Sequence, residues 1–360
     1  MDALYVGIDG GGTKTKCIIV DASCNELGVG FGGPSNPNRQ GGPRAVDSIV
    51  AAVLDAIRDG RDKGNLHGFV LHFERMLLGI SGAAGPRGRE ILAKEFAVRR
   101  EAGSSTKLPF TYGSFRIVGD IHTAWYAAFE GEPGIIFIAG TGCAVYGRIR
   151  LQEVPDEQTY CLFTSPKTPE YSFTRSGDGG FSVGRSGIIA CANALRNPSD
   201  ILVGLMRDAY ASGKLWADHR ARGEDFSRIV MRSAGILFST SAIEGQSLSH
   251  TEIAAVAFYV SEASLRFHAA SRDILSQTSL YLYEAIESIL AILPFPNGVV
   301  PVAYFGSVFG SPLLYARLWR ELPHLHRPAK LVLPKHSIEH GAALMAIRDI
   351  DVPEHVVSIK

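Results

Sequence analysis

The chain has 360 residues, 46% of them hydrophobic and 20% charged, the balance of a globular protein long enough for two cores. Its 36 Lys and Arg equal its 36 Asp and Glu, so the formal net charge is zero and nothing marks nucleic acid or an anionic membrane as a partner. No apolar run reaches the roughly eighteen residues of a membrane span, and the chain enters a strand almost at once, so neither a span nor a signal peptide is expected.

Leu4 to Ile8 reads as a buried strand, and Thr15 to Val20, rich in β-branched residues, as a second. Between them lies Asp9-Gly10-Gly11-Gly12-Thr13-Lys14. Three consecutive glycines let the backbone turn tightly and bring N–H groups such as those of Gly11 and Gly12 up to an anion without Cβ interference. Asp9 can hold Mg²⁺ through its water shell, and Thr13, Lys14 and Thr15 can reach phosphate oxygens. An ordinary hairpin turn needs one or two glycines, but not an acid, hydroxyls and a cation together. A strand rather than a helix follows the glycines, so the segment is neither a Walker A loop nor a dinucleotide fingerprint. It resembles the hairpin phosphate loop of the actin, hexokinase and Hsp70-type ATPases.

Glu26 to Phe31 extends the meander. Pro34-Ser35-Asn36-Pro37-Asn38 is a stiffened loop whose amides suit a hydroxyl-rich ligand, or a plain turn. Val46, Ile49, Val50, Val53, Leu54 and Ile57 recur at helical spacing. Met76 to Ile80 is a buried strand running into Ser81-Gly82-Ala83-Ala84-Gly85, where small residues allow close approach of a ligand. A helix over Arg87 to Arg100 and a strand over Phe115 to Val118 lead to Gly119-Asp120, and a helix covers Ile121 to Glu130. At the head of that helix Asp120 can project into a cleft as a general base, or fill an N-cap.

The opening pattern then recurs: Gly134 to Ala139 is a strand, Gly140-Thr141-Gly142 a tight turn, and Cys143 to Ile149 a returning strand. Two such hairpins imply a duplicated architecture, with each domain presenting a turn to one cleft. Residues 151 to 174 read as an irregular, strand-poor excursion, and Ser186 to Leu293 as predominantly helical. Val299 to Phe305 is a strand running into Gly306-Ser307-Val308-Phe309-Gly310, followed by a helix over Pro312 to Leu322, a strand over Lys330 to Leu333 and a helix over Glu339 to Arg348. The five cysteines, Cys17, Cys24, Cys143, Cys161 and Cys191, form no C-x-x-C pair and read as thiols of a reducing cytoplasm.

The motifs run in a specific order: Asp-Gly-Gly-Gly-Thr-Lys-Thr, Gly-Asp120, Ala-Gly-Thr-Gly at 139 to 142, Phe-Gly-Ser-Val-Phe-Gly at 305 to 310, and His-Gly-Ala-Ala at 340 to 343. Over nearly its whole length the chain resembles the sugar-kinase branch of that superfamily, in particular the N-acetylglucosamine kinase and BadF/BadG/BcrA/BcrD-type ATPase family. The resemblance implies an α/β fold of two ribonuclease H-like domains with mixed five-stranded sheets flanking a cleft. It places the first domain at 1–122, completed by the terminal helix at 339–360, and the second, with helical insertions, at 123–338. It implies ATP and Mg²⁺ as cofactors, a sugar as acceptor, Asp120 as the base, and a cytoplasmic homodimer. Gly140, Thr141 and Gly142 match the family's second phosphate loop, Gly306 and Ser307 its adenosine turn, and Asn36 its sugar-binding asparagine, with Ser81 and Gly82 beside the same cleft.

One segment departs from the family, which commonly carries Gly-Asp-Glu-Gly-Ser after the second phosphate loop. Here Gly177-Asp178-Gly179-Gly180-Phe181-Ser182 retains Asp178 as a sugar ligand but replaces the second acid with Gly179 and a small serine with Phe181. The leading expectation is a kinase acting on the 6-hydroxyl of N-acetylglucosamine or glucosamine. The alternatives are an activator ATPase of the 2-hydroxyacyl-CoA dehydratase type and a non-catalytic sensor that binds ATP and sugar.

Overall fold

The structure, a computed structural model, describes residues 3–68, 70–100, 108–149, 160–163, 179–238, 248–293, 295 and 297–350. Asp178, most of the 151–174 excursion and residues 351–360 lie outside them. In chain order the elements begin with β1 (Tyr5–Gly10), β2 (Thr15–Val20), β3 (Glu26–Gly32), α1 (Pro37–Gln40), α2 (Gly42–Asp62) and β4 (His72–Ile80). There follow α3 (Pro86–Arg100), β5 (Thr111–Val118), α4 (Asp120–Phe129), β6 (Gly134–Ala139), β7 (Cys143–Arg148) and β8 (Tyr160–Phe163). The helical stretch comprises α5 (Gly180–Ala194), α6 (Ile201–Ala211), α7 (Ala217–Ala221), α8 (Phe226–Phe238), α9 (His250–Leu265) and α10 (Ala269–Ile292). The chain continues with β9 (Val300–Phe305), α11 (Pro312–Glu321), β10 (Ala329–Val332) and α12 (Ile338–Ile347). β8 falls inside the expected strand-poor excursion.

The chain forms two compact units. The first runs to Ile136 and resumes from Leu333; the second holds Phe137–Arg148 and Tyr160–Val332. Each unit is built on one five-stranded sheet, ordered β3-β2-β1-β4-β5 and β8-β7-β6-β9-β10. In the first sheet β1, β2 and β3 pair antiparallel, while β4 and β5 extend it in parallel. The second sheet keeps the antiparallel β7–β8 pair and the parallel β9–β10 pair. The duplication inferred from two glycine turns is thus a duplication of sheet order. The division places α4 in the first unit, where a boundary at 122 assigns most of it to the second domain.

Glycine spacing explains how tightly the first unit packs. A Cβ on Gly28, Gly30 or Gly32 would lie 2.2, 2.1 or 2.1 Å from the backbone of α2, at Ala56 O, Ala56 N and Ser48 O. Alternate glycines therefore turn one face of β3 into a groove for the helix. Asp55 and Asp59 of α2 then accept from Phe31 N and Val29 N, at 2.9 and 2.8 Å, closing the open edge of this strand. Val46, Ile49, Val53 and Ile57 of α2 pack with Val6, Ile8 and Ile19 in the core beneath.

On the first unit's sheet α12 lies so close to β1 that a Cβ on Gly7 would sit 2.1 Å from Glu339 O and 2.4 Å from Ala343 N. Gly341 repeats the device against α4, where a Cβ would meet Ala127 Cβ at 2.5 Å and Thr123 O at 2.6 Å. Arg348, just past α12, donates to Tyr126 OH and Glu130 Oε2, both at 2.9 Å. In the second unit the inserted helices bury a core of their own, with Ile188, Leu202, Val203, Met206, Ile229, Val230, Val256 and Val260 all fully covered.

The Gly7 contact yields a direct expectation. Gly7→Ala drives a methyl group into the α12 backbone, which has no rotamer with which to yield, and should cost about 1–3 kcal/mol. Urea denaturation of the variant checks it; unchanged stability would mean that α12 does not rest on β1.

Candidate functional site

The site in the first unit grows out of the β1–β2 hairpin. Gly10 and Thr15 pair across the ladder, and Gly11 N donates to Lys14 O at 2.9 Å, so residues 11–14 form one closed turn. Two further bonds fix it from outside: Ser35 N donates to Gly11 O (3.0 Å) and Ser81 N to Gly10 O (2.7 Å). Gly10 has to be glycine, since a Cβ there would meet Ser35 Oγ at 2.3 Å and Ile80 Cδ1 at 2.5 Å. A Cβ on Gly11 would stand 3.6 Å from Lys14 O and one on Gly12 3.4 Å from Arg39 Nη1, so neither position is crowded as Gly10 is by its neighbours. Among the described residues the N–H groups of Gly12 and Lys14 find no backbone acceptor, and both can turn to an anion.

Thr15 does not share that open face. It is fully buried, and its hydroxyl is engaged with Gly33 O at 2.7 Å and with the Ser35 hydroxyl at 2.8 Å. Its part is to lock the hairpin to the following loop, which corrects its expected place among the phosphate ligands. Thr13 and Lys14 are exposed.

Ser35 leads into α1, whose N-cap is Asn36: its Oδ1 accepts from Asn38 N at 3.0 Å. Asn38 Nδ2 in turn donates to Gly82 O at 2.9 Å. Gly82 has φ +87°, and a Cβ there would lie 2.8 Å from both Asn36 Oδ1 and Asn38 Nδ2. The structure therefore brings together Asn36, Ser81 and Gly82, three of the expected sugar-binding residues, and adds Asn38.

Asp120 is the first residue of α4, one place inside the N-cap, which is Gly119. Gly119 lets the Ser81–Gly85 loop lie against it, since a Cβ would meet Ala84 Cβ at 2.8 Å. Asp120 Oδ1 accepts from Ile121 N at 3.0 Å, and the Ser81 side chain bonds to the same carboxyl. Burial outweighs both bonds and pushes the carboxyl up to about 6. Asp9 rises further, to about 7, chiefly through burial and then through the negative charges of Asp120 and Glu339, with Lys14 and Lys16 acting the other way.

Glu339 and Lys16 are site residues that sequence reasoning missed. Lys16 Nζ lies 2.5 Å from Glu339 Oε1, and Ser337 Oγ donates to the same oxygen at 2.6 Å. Each carries a signal in the sequence. Glu339 is the one acid in the largely apolar helix Ile338–Ile347, and Lys16 shares a strand face with Ile18 and Val20.

The second unit builds a site from backbone alone. Gly306, at φ +103°, approaches the end of β6 so closely that a Cβ would lie 2.3 Å from Ala139 O and 2.7 Å from Gly140 N. Gly180 N donates to Gly140 O (2.6 Å) and Phe181 N to Thr141 O (2.9 Å), tying the head of α5 to the second glycine turn. Gly179 packs against Gly142 O, where a Cβ would stand 2.3 Å away. Gly140 and Gly142 have open space where a Cβ would be. Ser307 opens a short 3-10 turn, Ser307–Gly310, and is exposed. The Phe181 ring is buried and stacks on His250 at 4.2 Å, in the core of the inserted helices.

The chain is similar in sequence or in fold to several known proteins. Residues 6–152 match the BadF/BadG/BcrA/BcrD ATPase family. The N-acetylmuramic acid/N-acetylglucosamine kinase of Clostridium acetobutylicum is 23% identical over 348 residues, covering 96% of this chain and 99% of its own. A crystal structure from Chromobacterium violaceum, provisionally assigned as an N-acetylglucosamine kinase, superposes with a TM-score of 0.65 at 17% identity, over 96% of this chain and 99% of that one. A ROK family glucokinase from Streptomyces griseus, solved with glucose and AMPPNP, gives 0.57 at 15% identity over 96% and 100%. These likenesses show the fold alone, a two-sheet α/β architecture that the chain shares with those structures. Among the described residues no helix is long and apolar enough to cross a membrane.

A raised carboxylate pKa means that ionisation is resisted by the folded state, so its cost sets in as pH climbs from the unfolded value of 3.8 towards about 7. Asp9→Asn removes that cost. The variant should gain stability over the wild type progressively across this window, by on the order of 2 kcal/mol at its upper end. Thermal denaturation of both proteins at pH 4.5 and pH 8 reads it; a gap that does not widen with pH would dissolve the carboxylate cluster.

Proposed function

We propose that this protein is an ATP-dependent sugar kinase that phosphorylates a hydroxyl of an amino sugar, the 6-hydroxyl of N-acetylglucosamine or glucosamine, with Asp120 as the general base. The observation that carries the reading is that Ser81 joins its two halves. The Ser81 N–H holds Gly10 of the phosphate-type turn while its side chain holds the Asp120 carboxyl. A curated relative named as a kinase of two amino sugars, alignable over nearly the full length of both chains, supports the acceptor class.

In this reading the N–H groups of Gly12 and Lys14 and the Lys14 side chain hold phosphate oxygens. Asn36 and Asn38, beside Gly82, hydrogen-bond acceptor hydroxyls. Asp120 takes the proton of the attacking hydroxyl, which requires its ionised form. The resemblance assigns Gly140, Thr141 and Gly142 to the nucleotide's phosphates, Gly306 and Ser307 to its adenosine, and Asp178 to the sugar. It also brings with it a homodimer at work in the cytoplasm.

The donor set fits Mg²⁺. Three carboxylates (Asp9, Asp120 and Glu339) face two lysines (Lys14 and Lys16), which leaves hard oxygen donors and an excess of negative charge. Among the described residues no three acidic, histidine or cysteine side chains form a metal cage, and Mg²⁺ bound through water and substrate phosphates requires none. Held through the Asp9 water shell, Mg²⁺ would supply neutralisation of phosphate charge.

Coupled measurement of ADP release over a panel of sugars tests the reading. N-acetylglucosamine or glucosamine should raise release well above background, and Asp120→Asn should lower turnover about 10²–10⁴-fold. Turnover should fall as pH drops below about 6, where Asp120 takes up its proton. If no sugar raises ADP release, the kinase reading fails.

A further inference from the structure

Arg39 takes no part in the site as described so far. It lies on α1, between the segment that presents Asn36 and Asn38 and the start of α2. Its side chain turns back over the phosphate-type turn: a Cβ built on Gly12 would lie 3.4 Å from Arg39 Nη1. The residue is exposed. Among the described residues no carboxylate pairs with this guanidinium, whereas Arg99 is paired with Asp47 and Glu95 and Arg348 with Glu130.

Its anchoring is firm where its charge is unmatched. Pro37 is buried at the head of α1, Arg39 N donates to Asn36 O at 3.1 Å, and Gly41 N closes the turn on Pro37 O at 3.0 Å. Asn38, its neighbour, is bonded to Gly82 O. A guanidinium held on such a base, over a glycine whose N–H is open, offers a planar donor fork to tetrahedral oxygens. The Asp9, Asp120 and Glu339 carboxylates make the surroundings of this turn poor in positive charge, so an incoming phosphoryl group needs a further cation.

We propose that Arg39 binds the transferred phosphoryl group, bridging the phosphate turn at Gly12 and the acceptor residues of α1. The proposal rests on the kinase reading for its second half only. In the step concerned the acceptor oxygen attacks the terminal phosphorus of ATP and a new P–O bond forms. The bond to the bridging oxygen breaks, ADP leaves with that electron pair, and the acceptor proton passes to Asp120. Arg39 would hold non-bridging oxygens of the moving group, a contact available to ATP and denied to ADP.

The test has two arms. Calorimetric titration without acceptor compares ATP and ADP on wild type and Arg39→Ala, whose unchanged melting temperature would show an intact fold. Affinity for ATP should fall about tenfold and for ADP less than about threefold, the scale of one lost charge-assisted contact. With the best sugar, kcat should fall about 10- to 100-fold with the acceptor KM held within about threefold, and Arg39→Lys should restore part of it. Equal effects on ATP and ADP, or none, would overturn the proposal. So would a rise confined to the KM of acceptors bearing a carboxylate, which would make Arg39 a reader of the acceptor. Absence of turnover with every sugar would sink the kinase reading alone, because the ATP-over-ADP comparison stands without it.

Discussion

The carbonyl of Glu339 occupies the space where a side chain on Gly7 would be. That single steric fact decides where α12 goes. A helix can approach a strand at backbone distance only where the Cβ is missing, and β1 offers the vacancy one turn of pleat before Asp9. With α12 seated there, Glu339 comes to rest beside Lys16, and Gly341 lets α4 close on the other side. The first unit is therefore assembled from both ends of the sequence, and the charge pattern around its glycine turn exists only when the last helix is in place.

This pattern is costly in isolation. Burial works against Asp9 and Asp120, and both are held well above the ordinary carboxylate range. The Lys16–Glu339 pair neutralises itself and leaves Asp9 and Asp120 facing one another with too little positive charge. Such an arrangement does little for folding; its logic is that of a site whose missing charge arrives with a ligand. The hydrogen bonds around the turn are of the opposite kind. Gly10, Gly11, Thr15, Ser35 and Ser81 bond to one another or to the backbone, so the turn keeps its shape whether or not anything is bound.

Much of this is legible in the order of residues alone. Both hairpins are located, β2 and β6 to the residue, because short runs rich in β-branched residues, such as Gly-Ile-Ile-Phe-Ile-Ala, stand against glycine turns. The glycine triplet and Gly119-Asp120 mark the turn and the carboxylate because each carries its chemistry in adjacent residues. What stays hidden depends on tertiary contact. The alternate glycines of β3 read as weak strand residues until α2 fills the groove they make. Thr15 reads as a phosphate ligand until its hydroxyl meets Gly33 and Ser35. Phe181 reads as an intruder in a polar motif, yet only its N–H belongs to the turn, while its ring joins the helical core against His250. Lys16 and Glu339 each stand out among apolar neighbours, but they lie more than 300 positions apart and nothing local pairs them.

The two hairpins also show how a duplicated frame separates in chemistry. The sheets have the same order, and each central strand ends in a glycine turn. Yet where β1 ends in Ile8-Asp9-Gly10, β6 ends in Ile138-Ala139 and passes into Gly140, and nothing in the second turn corresponds to Lys14. The first hairpin gathers ionisable groups and must be stabilised against them, by Ser35, Ser81 and the end of α12. The second, among the described residues, is held by backbone contacts with Gly179, Gly180 and Gly306, and at Gly179 and Gly306 the close approach excludes any side chain. A turn built this way can offer an anion or a flat ring shape and N–H groups, but not acid–base chemistry. In the first unit the Asp120 carboxyl is bonded to the Ser81 side chain, and the Ser81 N–H holds the turn itself.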